Sequence, residues 1–247
     1  MAERPRGRRV SPSPADLGTM AESSRLAPIV CLEGVSAVGK TTLAAALARQ
    51  AGAAVIPELD GSGAPPVAES AAWFVDAHAA QWRQARALAV RAPLVVMDCD
   101  PLKGLWFNWV FAEHGWPGID VQGPLYRAHL RRGTMAFPDL YVVLQATDGQ
   151  LRARRAGDPT RTRRNHEMHL RLAAPQRRYF QALQAADPPR VLLLDTSDRD
   201  ALVDAVLAAV QALPPEPPDS MRLLEHMVDW VAAHTQDAAD SPRDQSS

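Results

Sequence analysis

Lysine is almost missing from this chain. Of its 27 lysine and arginine residues only Lys40 and Lys103 are lysines, so arginine carries nearly all the positive charge. Cysteine is just as scarce. The two present, Cys31 and Cys99, lie in or beside apolar runs, which reads as buried thiols and excludes a secreted disulfide framework. No run of about 18 apolar residues occurs, which excludes a membrane-spanning helix. The basic N-terminus MAERPRGRRVSPSPADLG has no apolar core and so is no secretory signal. An excess of one charge sign is lacking too: the formal net charge is -1, so no overall field draws the chain to membrane or nucleic acid. The expectation is a soluble cytoplasmic protein whose partner is a small molecule; a homodimer stays open.

What is present is a chain of 247 residues, 47% hydrophobic, enough for one medium-sized domain with extensions. Residues 1–27 are rich in Pro, Ser and Arg and read as a disordered tail, within which Met20 is a second candidate start. Apolar strand-like runs follow at 28–33, 53–59, 93–99, 139–146 and 190–196. Helical periodicity fills 40–50, 68–91, 121–132, 163–186 and 199–212. Continuous apolar strands alternating with helices predict an α/β fold: a five-stranded parallel sheet with helices on both faces, spanning 28–213. PPEPPD then begins a Pro-rich linker, and a C-terminal helix completes 214–235, with Leu224, Met227, Val228 and Val231 on one face. Residues 236–247 read as a second disordered tail.

The first strand runs into Gly34-Val35-Ser36-Ala37-Val38-Gly39-Lys40-Thr41, a complete G-x-x-x-x-G-K-[ST] loop that opens an Ala-rich helix. This predicts a P-loop NTPase fold. Residues Gly34 to Thr42 would cradle a triphosphate on backbone N–H groups at the positive end of the helix dipole. Lys40 would reach the β- and γ-phosphates, and the Thr41 hydroxyl would ligate Mg²⁺. Its retention in so lysine-poor a chain carries weight, because a compact ammonium fits where a planar guanidinium does not. The run PLVVMDCD supplies Asp98 as acidic partner for the metal, whereas Asp100, followed by Pro101, suits a capping role as well. An N-K-x-D guanine-reading element, an Asp-Glu strand end and an LSGGQ signature are all absent. Those absences argue against a GTPase, an oligomeric motor and a transporter ATPase, and leave the compact kinases, with ATP and Mg²⁺ as cofactors.

Between Arg152 and Arg178 nine arginines face only Asp158 and Glu167, a segment that wants a polyanion: a nucleotide, or else nucleic acid. After the fourth strand it resembles the lid that closes over ATP in nucleoside and nucleotide kinases. VIPELDG likewise resembles the stretch after the second strand in the deoxynucleoside kinase and thymidylate kinase-like family. That resemblance implies an Arg-rich helical lid over about 152–178, with Arg154, Arg155, Arg161, Arg163 and Arg164 neutralising the transferred group. It implies that Glu58 positions and deprotonates an acceptor hydroxyl, and that Trp73, Phe74, His78 and Gln81 line the acceptor pocket. The family's D/E-R arginine is replaced here by Cys99, and Lys103 is the candidate to supply its charge. Five of the fourteen aromatics, Trp106, Phe107, Trp109, Phe111 and Trp116, fall within eleven residues, either to wall a pocket or to pack. The function implied is an ATP-dependent phosphotransferase with a hydroxyl or phosphate acceptor. Phosphotransferases that inactivate chloramphenicol share this architecture, so an antibiotic or secondary-metabolite acceptor stands as the alternative, beside a non-catalytic ATP-binding regulator.

Overall fold

A computed structural model describes residues 26–111, 114–156, 172–198 and 201–235. Its centre is β1 (Ile29–Glu33), whose five residues are all buried. That explains why the sequence IVCLE shows no alternation: both faces of the strand are covered. β2 (Ala54–Ile56), β3 (Val95–Met97), β4 (Leu140–Gln145) and β5 (Val191–Asp195) complete a five-stranded sheet in the order β2-β3-β1-β4-β5. All pairs are parallel, with Cys31 in register with Met97 on one side and Tyr141 on the other. The carboxyl ends of the strands therefore share one edge, where open α/β sheets place their ligands.

Two strands are shorter than the apolar runs suggest. Pro57 follows β2 and has no N–H to donate to a ladder. The run in β3 ends at Met97, and the Asp98 amide alone extends the pairing by bonding to the Ile56 carbonyl at 2.9 Å. The helices are α1 (Lys40–Ala51), α2 (Ser70–Leu88), α3 (Lys103–Val110), α4 (Ile119–Arg131), α5 (Asp148–Ala156), α6 (Ala173–Ala186), α7 (Ala201–Gln211) and α8 (Ser220–Ala233). α1 stops at Gly52, whose φ of 66° and N–H bond to the Leu47 carbonyl form a left-handed C-cap. Helices cover both faces, as expected: α1 packs with α7, while α2, α3, α4, α6 and α8 pack among themselves.

α8 docks through Leu223, Leu224, Met227 and Val231, all buried, while Val228 is half-buried. Each such side chain contributes about 1.5–3 kcal/mol relative to leaving it in water. Arg127 of α4 holds the helix through a two-nitrogen clasp on Glu225 (2.6 and 2.8 Å), and the Trp109 indole N–H donates to the His234 carbonyl at 2.9 Å. No described helix is long and apolar enough to cross a membrane.

Candidate functional site

The loop between β1 and α1 is held in a shape few sequences permit. Gly34 has φ 135° and Gly39 φ 117°, both in the region reserved for glycine. A Cβ on Gly34 would stand 2.6 Å from the Leu144 carbonyl oxygen and 2.9 Å from Val38 Cγ1. Ala37 sits at φ 71°, the single non-glycine residue with positive φ among the described residues. Such strain persists only where the surroundings enforce it. Part of that enforcement comes from Arg154 on α5, whose Nη1 donates to the Val38 carbonyl at 2.9 Å and to Thr196 Oγ1 at 2.8 Å. α1 begins with neither a side-chain cap nor an acidic first turn, so its positive end is left for a ligand.

Lys40 turns its Nζ back into the loop, donating to the Gly34 carbonyl at 2.7 Å. The Thr41 hydroxyl donates to Asp98 Oδ2 at 2.8 Å. Asp98 Oδ1 is buried with no hydrogen-bond partner among the described residues, and burial raises the pKa of this carboxyl. A dry carboxylate oxygen beside a hydroxyl suits a hard cation, so the residues present fit Mg²⁺. Among the described residues no group of three or more His, Cys, Asp or Glu could hold a metal by itself. A Mg²⁺ here would complete its shell with nucleotide phosphates and water, as this ion usually does.

These groups face a cavity of about 680 Å³, lined also by Glu58, Lys103, Trp106, Phe107, Leu172, Leu202 and Val203. Glu58 Oε1 and Lys103 Nζ, both in the cavity lining, form an ion pair at 3.1 Å. Burial works against the Lys103 charge, but the Glu33 and Glu58 carboxyls around it outweigh that and raise its pKa. Cys99 itself is a buried thiol pushed up to about 12 by desolvation, and supplies no charge.

Two more carboxyls stand at the strand ends: Glu33, which the sequence reading left aside, and Asp100, which it weighed as a cap. Glu33, the last residue of β1, is only 2% exposed. Its Oε1 accepts from the Asp100 amide at 2.9 Å, and its Oε2 from the Gly34 amide (3.3 Å) and Gln176 Nε2 (3.0 Å). Glu33 thus joins the phosphate loop, the end of β3 and α6, and its pKa is raised by burial. The signal was a lone charge ending an otherwise apolar strand. Asp100 is fully buried, accepting from the Leu102 amide and the Tyr141 hydroxyl, each at 2.8 Å. Burial and then the Glu33 charge push it up to about 7.

Among the other expected site residues, Trp106 lines the cavity, whereas Trp73, His78 and Gln81 are not part of its wall. Trp73 packs edge-on against Phe74 (4.9 Å), and Phe74 in turn approaches Trp116 (6.1 Å). Gln81 Nε2 donates to the Pro57 carbonyl at 2.9 Å, next to Glu58, while its Oε1 meets His78 Nδ1 at 3.3 Å. The Arg155 side chain and the whole of Arg161, Arg163 and Arg164 lie outside the described residues, as does most of the expected lid.

The sheet order, the loop and the cavity define the class: the chain has the P-loop nucleoside and nucleotide kinase-like fold. It is similar to the structure of deoxyadenosine kinase from M. mycoides with bound dATP, at a TM-score of 0.54 and 12% identity over 74% of this chain and 99% of that one. The same deoxyadenosine kinase with the products dCMP and a flexible dCDP bound matches at 0.54 and 12%, over 75% and 100%. Thymidylate kinase from Candida albicans matches at 0.51 and 13%, over 76% and 92%. No family model matches the chain, and no curated protein matches it in sequence. At such identities the likeness establishes the fold alone.

Proposed function

We propose that this chain is an ATP-dependent phosphotransferase that moves the γ-phosphoryl group of ATP to a hydroxyl or phosphate of a small molecule. The observation that carries this reading is one cavity with a phosphate-loop wall, built by Lys40 and the Thr41–Asp98 pair, and an acid–base wall, built by the Glu58–Lys103 pair. The loop and the α1 N-terminus bind the triphosphate, and Lys40 exchanges the Gly34 carbonyl for phosphate oxygens. Thr41 and Asp98 would hold Mg²⁺, which when bound offsets charge on the transferred group. Glu58 orients the acceptor hydroxyl and takes its proton as the oxygen bonds to the γ-phosphorus and ADP leaves. Lys103 fixes the Glu58 rotamer through their ion pair. Trp106, Phe107 and Leu172 wall the cavity with apolar surface, which disfavours water as a competing acceptor. Arg155, Arg161, Arg163 and Arg164 are proposed to close over the phosphates.

The test is acceptor-dependent ADP formation across nucleosides, nucleoside monophosphates, phenicols and aminoglycosides. Lys40→Ala should lower kcat/KM by about 100-fold or more, and Glu58→Gln should lower kcat by about 100-fold with ATP affinity retained. ATP binding without phosphorylation of any acceptor, together with no effect of Glu58→Gln, rules the proposal out.

A further inference from the structure

A phosphate loop binds through its backbone N–H groups, so whatever fixes its peptide planes also sets its affinity. We infer that Arg154 is a positioning residue for the nucleotide: it sets the Val38–Gly39 peptide through the Val38 carbonyl, acting by geometry where a lid arginine would act by charge. The inference rests on the loop binding a triphosphate, as in the phosphotransferase reading above. Leu151, one turn earlier on α5, is fully buried and turns that face of the helix inward. Arg154 Nη1 then donates to the Val38 carbonyl (2.9 Å) and Thr196 Oγ1 (2.8 Å), and its Nη2 donates to the Thr196 carbonyl (2.8 Å). Thr196 is a firm anchor. It is 1% exposed, and its amide and hydroxyl both donate to the carbonyl of Gln145 at the end of β4, at 2.9 and 3.0 Å. One guanidinium thus ties the loop after β1 to the ends of β4 and β5.

The neighbouring peptides have restraints of their own. The Val38 N–H donates to the Val35 carbonyl at 3.3 Å, and the Gly39 carbonyl accepts from the Leu43 N–H of α1 at 3.0 Å. Between them, the Val38 carbonyl takes its bond from Arg154. A trans peptide is planar, so its N–H points opposite to its carbonyl. Holding the carbonyl therefore fixes the direction of the Gly39 N–H, one of the donors of the cradle. Gly39 supplies no brake itself: at φ 117°, with nothing within 4 Å of where a Cβ would stand, no side chain opposes rotation of this peptide. Ala37, strained at φ 71° just before it, adds a reason for the loop to relax once released. A lysine at 154 would keep the charge but lose the clamp, because one ammonium cannot span the Val38 carbonyl and both Thr196 oxygens as a planar fork does.

The experiment titrates Mg-ATP and Mg-ADP into the full chain and its Arg154→Lys, Arg154→Ala and Thr196→Val variants, at low salt and at about 0.5 M salt. Arg154→Lys and Arg154→Ala should each weaken both nucleotides about tenfold or more and to the same extent, since the loop N–H groups cradle phosphates common to the two. Thr196→Val, which removes one anchor and no charge, should weaken both by a smaller factor. The ratio of variant to wild type should hold at high salt. With the 14 glycines labelled by ¹⁵N, the Gly34 and Gly39 amide resonances should move in Arg154→Lys while that of Gly133 stays in place. Wild-type affinity in Arg154→Lys, a loss confined to ATP, or a loss abolished by salt would make Arg154 a charge contact and overturn the inference. Shifts spread over all the glycines would mean general loosening and overturn it too. Those outcomes leave the phosphotransferase reading standing, whereas a wild-type chain that binds neither nucleotide overturns both. Tight binding with no acceptor phosphorylated overturns that reading alone.

Discussion

Gly34 and Gly39 bracket the phosphate loop, both at positive φ, yet they differ in what surrounds them. A side chain on Gly34 meets backbone at 2.6 Å, whereas at Gly39 nothing lies within 4 Å. Both substitutions to alanine carry the strain of φ 135° or φ 117°, but Gly34→Ala adds a collision with the Leu144 carbonyl that no rotamer can relieve. Gly34→Ala should therefore cost about 2–4 kcal/mol and lower Tm by roughly 5–10 °C, with Gly39→Ala losing about half as much. Thermal unfolding of the two variants side by side checks this, and equal losses would mean that strain alone matters. The residues of this loop were legible in the sequence because their geometry is local. The partners of Glu33 and Asp100 were not. They lie 143 residues away at Gln176 and 41 residues away at Tyr141, and only the completed sheet brings those groups together.

Among the elements, the strands were the most readable, because a strand buried on both faces leaves a continuous apolar run such as LYVVLQ in β4. α3 was not readable as a helix. KGLWFNWV crowds five large apolar residues into its last six positions, so it carries no 3.6-residue rhythm, and its aromatics serve both outcomes foreseen for them. Trp106 and Phe107 face the cavity while Trp109 packs on Trp230 of α8, ring centroids 5.1 Å apart. α8 is therefore part of the support for the acceptor wall. Leu224 is fully buried at its centre, and Leu224→Ala should cost about 2–5 kcal/mol. Val228→Ala, at a half-buried position on the same helix, should cost clearly less. Urea denaturation measures both, and a Leu224→Ala midpoint equal to wild type would show that α8 contributes little to the fold.

The molecule as a whole balances 27 basic against 28 acidic residues, so its stability depends on pH through individual groups more than through net charge. His78 is one of them. Burial, then the nearby Lys103 charge, push its pKa down to about 4, while in the unfolded chain it titrates near 6.5. As pH falls below about 6.5 the unfolded chain takes up a proton that the folded one refuses, so stability present at neutral pH is lost progressively down to about pH 4. The loss should reach about 2 kcal/mol at pH 5. His78→Gln should flatten this part of the profile, with unfolding followed from pH 7 to pH 5, and an unchanged slope would place the dependence elsewhere. Six tryptophans are spread through the chain, but among the described residues only Trp106 borders the cavity, its ring 5.8 Å from that of Phe107. The site thus carries its own fluorophore. Emission recorded before and after Trp106→Phe isolates the signal of one indole, and gives a label-free optical readout of what enters the cavity before any chemistry begins.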